Sequence, residues 1–187
     1  MTDPVASLNT ENVVASTRID QEVNLETLAN DLEGVSYDPD NFPGVVYRTS
    51  SPKAAALIFR SGKIVCTGAQ SRSEVREVIR ITFGELSNLG LTVPDTPEII
   101  VQNVVTSGEL GASLNLNAIA IGLGLENVEY EPEQFPGLVY RMDEPSVVTL
   151  LFGSGKLVIT GGKRPEDAEE AITTVCDELR ELGLFGV

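Results

Sequence analysis

Histidine and tryptophan are absent from this chain of 187 residues, and cysteine occurs only twice, at Cys66 and Cys176. Without histidine the chain lacks the commonest general base near neutral pH and the commonest metal-ligating side chain. Two unclustered cysteines have no zinc-site spacing, and they read as buried thiols in a reducing cytosol. No carboxylate pair stands isolated in apolar sequence, so acid–base, nucleophilic and metal chemistry are all unsupported. The expectation is a protein that is not an enzyme and carries no cofactor or metal. No apolar run approaches the ~20 residues of a membrane-spanning helix. The opening MTDPVASLNTENVV lacks the basic and apolar regions of a signal peptide, which points to a cytoplasmic location and no membrane partner.

Bases are also scarce. Thirteen Lys and Arg stand against 28 Asp and Glu, a net charge of −15, and only four of the bases are Lys. An acidic, lysine-poor surface suits a cytosol of molar salt, where repulsion between surface charges is screened. The competing readings are a basic partner or a disordered acidic tail. The acids are dispersed through periodic segments, seven of them between Glu166 and Glu181, which disfavours a tail. Taken whole, −15 argues against a nucleic-acid partner; where the charges lie decides whether that holds.

What is present is a duplication. YDPDNFPGVVYR (Tyr37 to Arg48) and LIFRSGKIVCTG (Leu57 to Gly68) return as YEPEQFPGLVYR (Tyr130 to Arg141) and LLFGSGKLVITG (Leu150 to Gly161), 93 positions later. Two copies of so long a unit do not make a solenoid. They imply two similar halves, 1–93 and 94–187, facing a partner that is itself roughly twofold.

Each half reads in the same order. A strand over Asn9 to Ile19 precedes a helix capped by Asn24, with Leu25, Leu28, Ala29 and Leu32 on one face. Three strands follow, Val45 to Thr49, Ala54 to Phe59 and Lys63 to Thr67, joined by turns short enough for antiparallel hairpins. A long helix over Ser73 to Leu89 ends at Gly90. The second half repeats this from Glu98, with strands near 137–142, 147–152 and 156–160 and a helix from Pro165. The first seven residues read as a frayed end. SGKI and SGKL resemble the end of a phosphate-binding loop but lack its other residues, and they read as hairpin turns.

The strands do not alternate apolar with polar, as a sheet with one wet face does. Ile58, Ile64 and Cys66 can face the helices. Leu57, Phe59, Val65, Thr67, Val14 and Asn12 then face the other way, as do Leu150, Phe152, Val158, Thr160, Val105 and Asn103. That second face is either a large exposed binding surface or the buried interior of two stacked sheets. Each half pairs a loop phenylalanine with a strand phenylalanine, Phe42 with Phe59 and Phe135 with Phe152. Such rings on an apolar face could wedge between stacked bases. The few bases, Arg48, Lys63, Arg141, Lys156 and Lys163, lie on or next to these strands, whereas the acids sit mainly on the helices.

On these residues the chain resembles the TATA-box-binding protein core in its archaeal form, and the acidity suggests a halophile. NFPGVVYR, QFPGLVYR, the two SGK strands and the paired Asn-Val-Val at 12–14 and 103–105 carry the likeness, which runs from Asn9 to Leu184. The resemblance implies an α+β fold: a pseudo-twofold saddle made of one curved ten-stranded antiparallel sheet, with four helices on its convex face. It implies a general transcription initiation factor that binds the minor groove of a TATA element in double-stranded promoter DNA, kinks it and recruits the TFIIB-like factor TFB, and RNA polymerase indirectly. Phe42, Phe59, Phe135 and Phe152 would intercalate. Asn12, Asn103, Thr67 and Thr160 would meet base acceptors, with Val14, Val65, Val105, Val158, Leu57 and Leu150 on the groove floor. Arg48, Lys63, Arg141, Lys156 and Lys163 match phosphate contacts, and Glu131 and Glu133 match acids offered to TFB, with Asp38 and Asp40 as weaker counterparts.

Two departures stand out: Gln70 occupies the position that matches Lys163, and Asn41 stands where eukaryotic members have a base. With few cations and a charge of −15, affinity is expected to strengthen with added KCl over part of the range, because salt screens protein–DNA repulsion. A steady fall of affinity from low to molar KCl, with the protein folded throughout, would contradict this. A free protein could also hide the apolar face in a homodimer. The reading from another class is a duplicated small-molecule-binding or regulatory module that uses the face for a ligand or for dimerisation; it has no need of wedges at four matched positions.

Overall fold

Apolar residues at both parities of the strands bury one row and leave the other half-exposed. The computed structural model describes residues 3–185. A short 3-10 turn, Val5–Ser7, leads into β1 (Asn9–Arg18), α1 (Leu25–Asp31), β2 (Val35–Ser36), β3 (Gly44–Ser50), β4 (Lys53–Phe59), β5 (Lys63–Ala69) and α2 (Arg72–Asn88). The order repeats as β6 (Ile100–Glu109), α3 (Leu116–Leu123), β7 (Val128–Glu129), β8 (Leu138–Met142), β9 (Val147–Leu151), β10 (Lys156–Gly162) and α4 (Pro165–Glu181).

The chain forms two compact units. One is Asn12–Gln102; the other joins the residues up to Glu11 to those from Asn103 onward. We call them the first-repeat and second-repeat units. The first has antiparallel strand order β2-β3-β4-β5-β1, and the second has β7-β8-β9-β10-β6.

Asparagine side chains cap α1, at the residue read from the sequence, and α3. Asn24 Oδ1 accepts from the Thr27 N–H at 2.9 Å and Asn115 Oδ1 from the Ala118 N–H at 3.2 Å, each satisfying a donor the helix cannot. In the first-repeat unit, Val75, Val78, Ile79, Phe83 and Leu86 of α2 are buried, as are Ile58, Ile64 and Cys66 of the sheet. In the second-repeat unit, Ala171, Ile172, Val175 and Leu179 of α4 pack in one cluster with Leu151, Leu157 and Ile159.

The beginning of the chain differs from a frayed end. Ser7 Oγ accepts from the Glu109 N–H at 2.8 Å and donates to the Pro4 carbonyl at 2.6 Å, so the 3-10 turn is tied to β6. The first two residues lie outside the described ones. No described helix is long and apolar enough to cross a membrane.

Candidate nucleic-acid interface

The register sets the second row of side chains side by side. In the first-repeat unit Val46 lies opposite Leu57, Leu57 opposite Val65, and Val65 opposite Ser16. In the second-repeat unit the same row reads Val139, Leu150, Val158 and Ser107. Except for Ser16, which is buried, these side chains are half-exposed, and so are Val14, Val105, Asn12, Asn103, Thr67 and Thr160. Between them, on alternate positions, lie the fully buried Ala56, Ile58, Ile64, Cys66, Leu157 and Ile159. Each unit therefore carries an apolar open face backed by a buried core. Val46 and Val139 extend this face and were not singled out from the sequence, although their parity with Arg48 and Arg141 marks them.

At the edge of each face two phenylalanines meet edge to face. Phe42 and Phe59 have ring centroids 5.7 Å apart at 61°, and Phe135 and Phe152 are 5.9 Å apart at 69°. Such T-shaped pairs are favoured by the ring quadrupole. Phe135 is 39 % exposed.

The Pro-Gly after each loop phenylalanine has a packing role that its reading as a turn did not reveal. A Cβ on Gly44 would come within 2.9 Å of Phe42 Cε1 and 3.2 Å of Phe59 Cε1. On Gly137 it would come within 2.6 Å of Phe135 Cε1 and 3.0 Å of Phe152 Cε1. Both rings of each pair thus rest over a bare Cα. The loops that carry Phe42 and Phe135 close on their own backbone: the Phe42 N–H donates to the Asp38 carbonyl and the Phe135 N–H to the Glu131 carbonyl, both at 2.9 Å.

The asparagines are held in one orientation. Asn12 Oδ1 accepts from the Gly68 N–H at 2.7 Å, and Asn103 Oδ1 accepts from the Gly161 N–H at 2.7 Å. Their Nδ2 groups reach Thr67 Oγ1 at 3.3 Å and Thr160 Oγ1 at 3.1 Å. Gly68 and Gly161 sit at φ +89° and +96°, a region costly for residues with a Cβ, and in or beside register shifts in β5 and β10. With the oxygen occupied and one N–H on the threonine, each carboxamide has one N–H donor left to offer along the open face. A-T and T-A pairs show only acceptors in the minor groove.

Of the candidate phosphate contacts, all five are exposed. Arg48 Nη1 donates to Ser36 Oγ at 2.7 Å, Arg141 Nε lies 3.4 Å from Glu129 Oε1, and Lys156 Nζ lies 3.9 Å from Glu109 Oε1. The Lys163 N–H donates to Asp167 Oδ2 at 2.9 Å. Glu131 and Glu133 are exposed in the loop before Phe135. Their counterpart Asp38 is engaged differently, accepting from Asn41 Nδ2 at 2.6 Å. Ser107 and Asn9 donate hydrogen bonds to Glu11 and hold its carboxyl below the usual range. At the matching place in the first-repeat unit the neutral Gln102 donates to Ser16 Oγ at 2.9 Å.

The comparisons with known proteins agree with this geometry. The family model described as transcription factor TFIID (or TATA-binding protein, TBP) matches residues 7–89 and 98–182. The TATA-box-binding protein of Haloarcula marismortui is 68% identical over 185 residues, covering 99% of this chain and 100% of that one. TATA-box-binding protein E of Halobacterium salinarum is 67% identical over 185 residues, with the same coverage. Among solved structures, Methanococcus jannaschii TBP matches with a TM-score of 0.83 at 50% identity, over 94% of this chain and 99% of that one. Among the described residues, a ten-stranded antiparallel open sheet with four α-helices is the fold class that results.

Proposed function

This chain belongs to the TATA-binding protein family and is a transcription initiation factor that binds TATA-box promoter DNA, and we propose that it does so by pressing its open faces into the minor groove and wedging the two phenylalanine pairs into the base stack. The observation that carries this reading is the pairing, in each repeat, of a half-exposed apolar face with an edge-to-face phenylalanine pair and an oriented asparagine donor.

The chemistry follows from what the groove displays. Val14, Leu57, Val65, Val105, Leu150 and Val158 form a floor without donors or acceptors, which tolerates A-T in either order and leaves no place for the guanine amino group. The few donors, from Asn12 and Asn103, fall to the N3 and O2 acceptors. Phe42 with Phe59, and Phe135 with Phe152, unstack one step each, and unstacking costs least at TA steps. Arg48, Lys63, Arg141, Lys156 and Lys163 hold the phosphates. Exposed Glu131 and Glu133 offer a carboxylate patch to a TFIIB-like factor, which brings RNA polymerase in turn. In the absence of DNA the same apolar faces serve a homodimer. The setting is the nucleoid of a high-salt cytosol.

Replacing the A-T pairs of the TATA element by inosine–cytosine pairs tests the groove assignment. Those pairs keep the minor-groove pattern of A-T and change the major groove. Binding within a few-fold of the natural element is the expected result. Loss of binding to the inosine element, with TATA binding intact, would move recognition to the major groove.

A further inference from the structure

The outer ends of β1 and β6 carry opposite charges at matching places. Arg18 and Glu109 are 91 positions apart, as are Asn12 and Asn103. Both continue the open-face row of their strand, two places beyond Ser16 and Ser107. Across the ladder, Arg18 lies opposite Lys63 and Glu109 opposite Lys156. In the second-repeat unit the opposed residues are an ion pair, Lys156 Nζ to Glu109 Oε1 at 3.9 Å. In the first-repeat unit two cations face each other, in a chain with only 13 bases against 28 acids. Like charges directly opposite on a sheet destabilise it, so this placement is costly unless an anion lies between them.

The surroundings match otherwise. A groove of about 320 Å³ at the cationic pair is lined by Ser16, Thr17, Arg18, Ser61 and Lys63, and also by Glu98. Its counterpart of about 530 Å³ is lined by Ser107, Gly108, Glu109, Ser154 and Lys156, and there the wedge residue Phe152 forms part of the wall. Ser16 matches Ser107, and Ser61 matches Ser154. Arg18 Nε lies 3.6 Å from Asp20 Oδ1, with the two side chains 71% and 94% exposed. A pair so open to water is weak and yields readily to a stronger anion. The Lys156–Glu109 pair, with side chains 70% and 61% exposed, is open too, so Glu109 weakens a phosphate contact at Lys156 rather than blocking it. Among the described residues Lys63 makes no ion pair.

We propose that Arg18 and Lys63 together form a DNA-phosphate site on the first-repeat unit, and that Glu109 competes with phosphate for Lys156 at the matching place on the second. The inference rests on the minor-groove reading above and adds Arg18 as a phosphate ligand and Glu109 as the phosphate's internal competitor at Lys156. The two repeats then hold the DNA backbone unequally. The contact carries no sequence information of its own; it sets how firmly each end is held and how that grip responds to salt.

The test compares wild type, Arg18→Ala, Glu109→Ala and, as a control for total charge, Arg180→Ala on α4. Each is titrated with a TATA duplex over a tenfold range of KCl. One phosphate contact adds about 0.9 to the salt slope, so the ratio of the Arg18→Ala Kd to the wild-type Kd should fall about eightfold across that range, whatever the sign of the wild-type slope. Glu109→Ala, which frees Lys156, should steepen the dependence by up to the same factor, and Arg180→Ala should match wild type. A second duplex carries uncharged methylphosphonate linkages in the backbone flanking the TATA element. On it the difference between wild type and Arg18→Ala should vanish. Arg18, Glu109 and Arg180 are all exposed, so circular dichroism should find every variant folded. If wild type binds and bends the duplex while Arg18→Ala keeps the wild-type slope and Kd, the phosphate site is wrong and the groove reading stands. The phosphate site is equally wrong if the methylphosphonate duplex leaves the difference intact. If wild type itself fails to bind the TATA duplex at any salt, both readings fall.

Discussion

Gly137→Ala is a one-carbon change that should loosen a wedge without touching DNA directly. The added Cβ would lie 2.6 Å from Phe135 Cε1 and 3.0 Å from Phe152 Cε1. Carbon–carbon contacts are comfortable at ~3.5–4.0 Å, so the Phe135 ring edge must retreat by about 1 Å. The backbone does not forbid alanine, because Gly137 is not among the positive-φ glycines. Overpacking of this kind costs about 1–3 kcal/mol. Phe135 is 39 % exposed and can swing outward, which keeps the folding cost near ~1 kcal/mol, a Tm fall of about 2–4 °C. The displaced ring no longer meets its base step squarely. A loss of about 1.4 kcal/mol of binding is tenfold in Kd. The assay is fluorescence anisotropy for Kd and end-to-end energy transfer on a doubly labelled duplex for bending. Gly84→Ala in α2 is the control, since its Cβ meets nothing within 4 Å and alanine there should stabilise the helix by up to about 1 kcal/mol. A Gly137→Ala protein that binds and bends DNA as wild type does would refute the claim that the bare Cα seats the ring pair.

Three further outcomes follow. Asn103→Asp keeps the oxygen that accepts from the Gly161 N–H but replaces the donor with a second oxygen; TATA affinity should fall by more than tenfold, while Tm, read by calorimetry, moves little. Burial pushes the Cys66 thiol up to about 11, and burial is also the main cause of the raised pKa of Cys176; a disulfide reagent at pH 8 should leave both unreacted in the folded protein and titrate both in denaturant. Burial, followed by the Glu178 hydrogen bond, pushes the Tyr140 hydroxyl up to about 12. Its folded pKa lies above the unfolded value, so its contribution to stability is intact below about pH 10 and is lost as pH rises through about 12. Alkaline denaturation followed by tyrosinate absorbance should therefore be weaker in Tyr140→Phe.

Much of the sheet was legible because Leu57, Val65, Leu150 and Val158 break the alternation that a one-sided sheet shows, and a second apolar row can only be a surface with a purpose or a second core. The duplication doubled every such observation. The Asn24 cap was legible too, since Asn24 precedes an apolar stripe with helical spacing; the Asn115 cap was not read from its glycine-rich helix. What escaped depends on distances between segments far apart in sequence. FPG reads as a turn, and nothing local says that Gly44 and Gly137 lie under a ring from another strand, Phe59 or Phe152, as well as under the loop ring two residues before them. The orientation of Asn12 and Asn103 depends on bulged glycines more than fifty residues away. The opposed Arg18 and Lys63 become a pair only through the β1–β5 register. The frayed end expected over the first seven residues missed Ser7, whose partner Glu109 is 102 positions on.

The central claim is that four phenylalanines bend the promoter. Its most direct measurement is energy transfer between the two ends of a short TATA duplex in molar KCl, with wild type, Phe59→Ala and Phe152→Ala side by side. Transfer should rise when wild type binds, and each variant, removing one ring from the Phe42 or the Phe135 pair, should bend the duplex less at saturating protein. Equal transfer from all three proteins at saturation would contradict the wedge account, even with TATA binding intact.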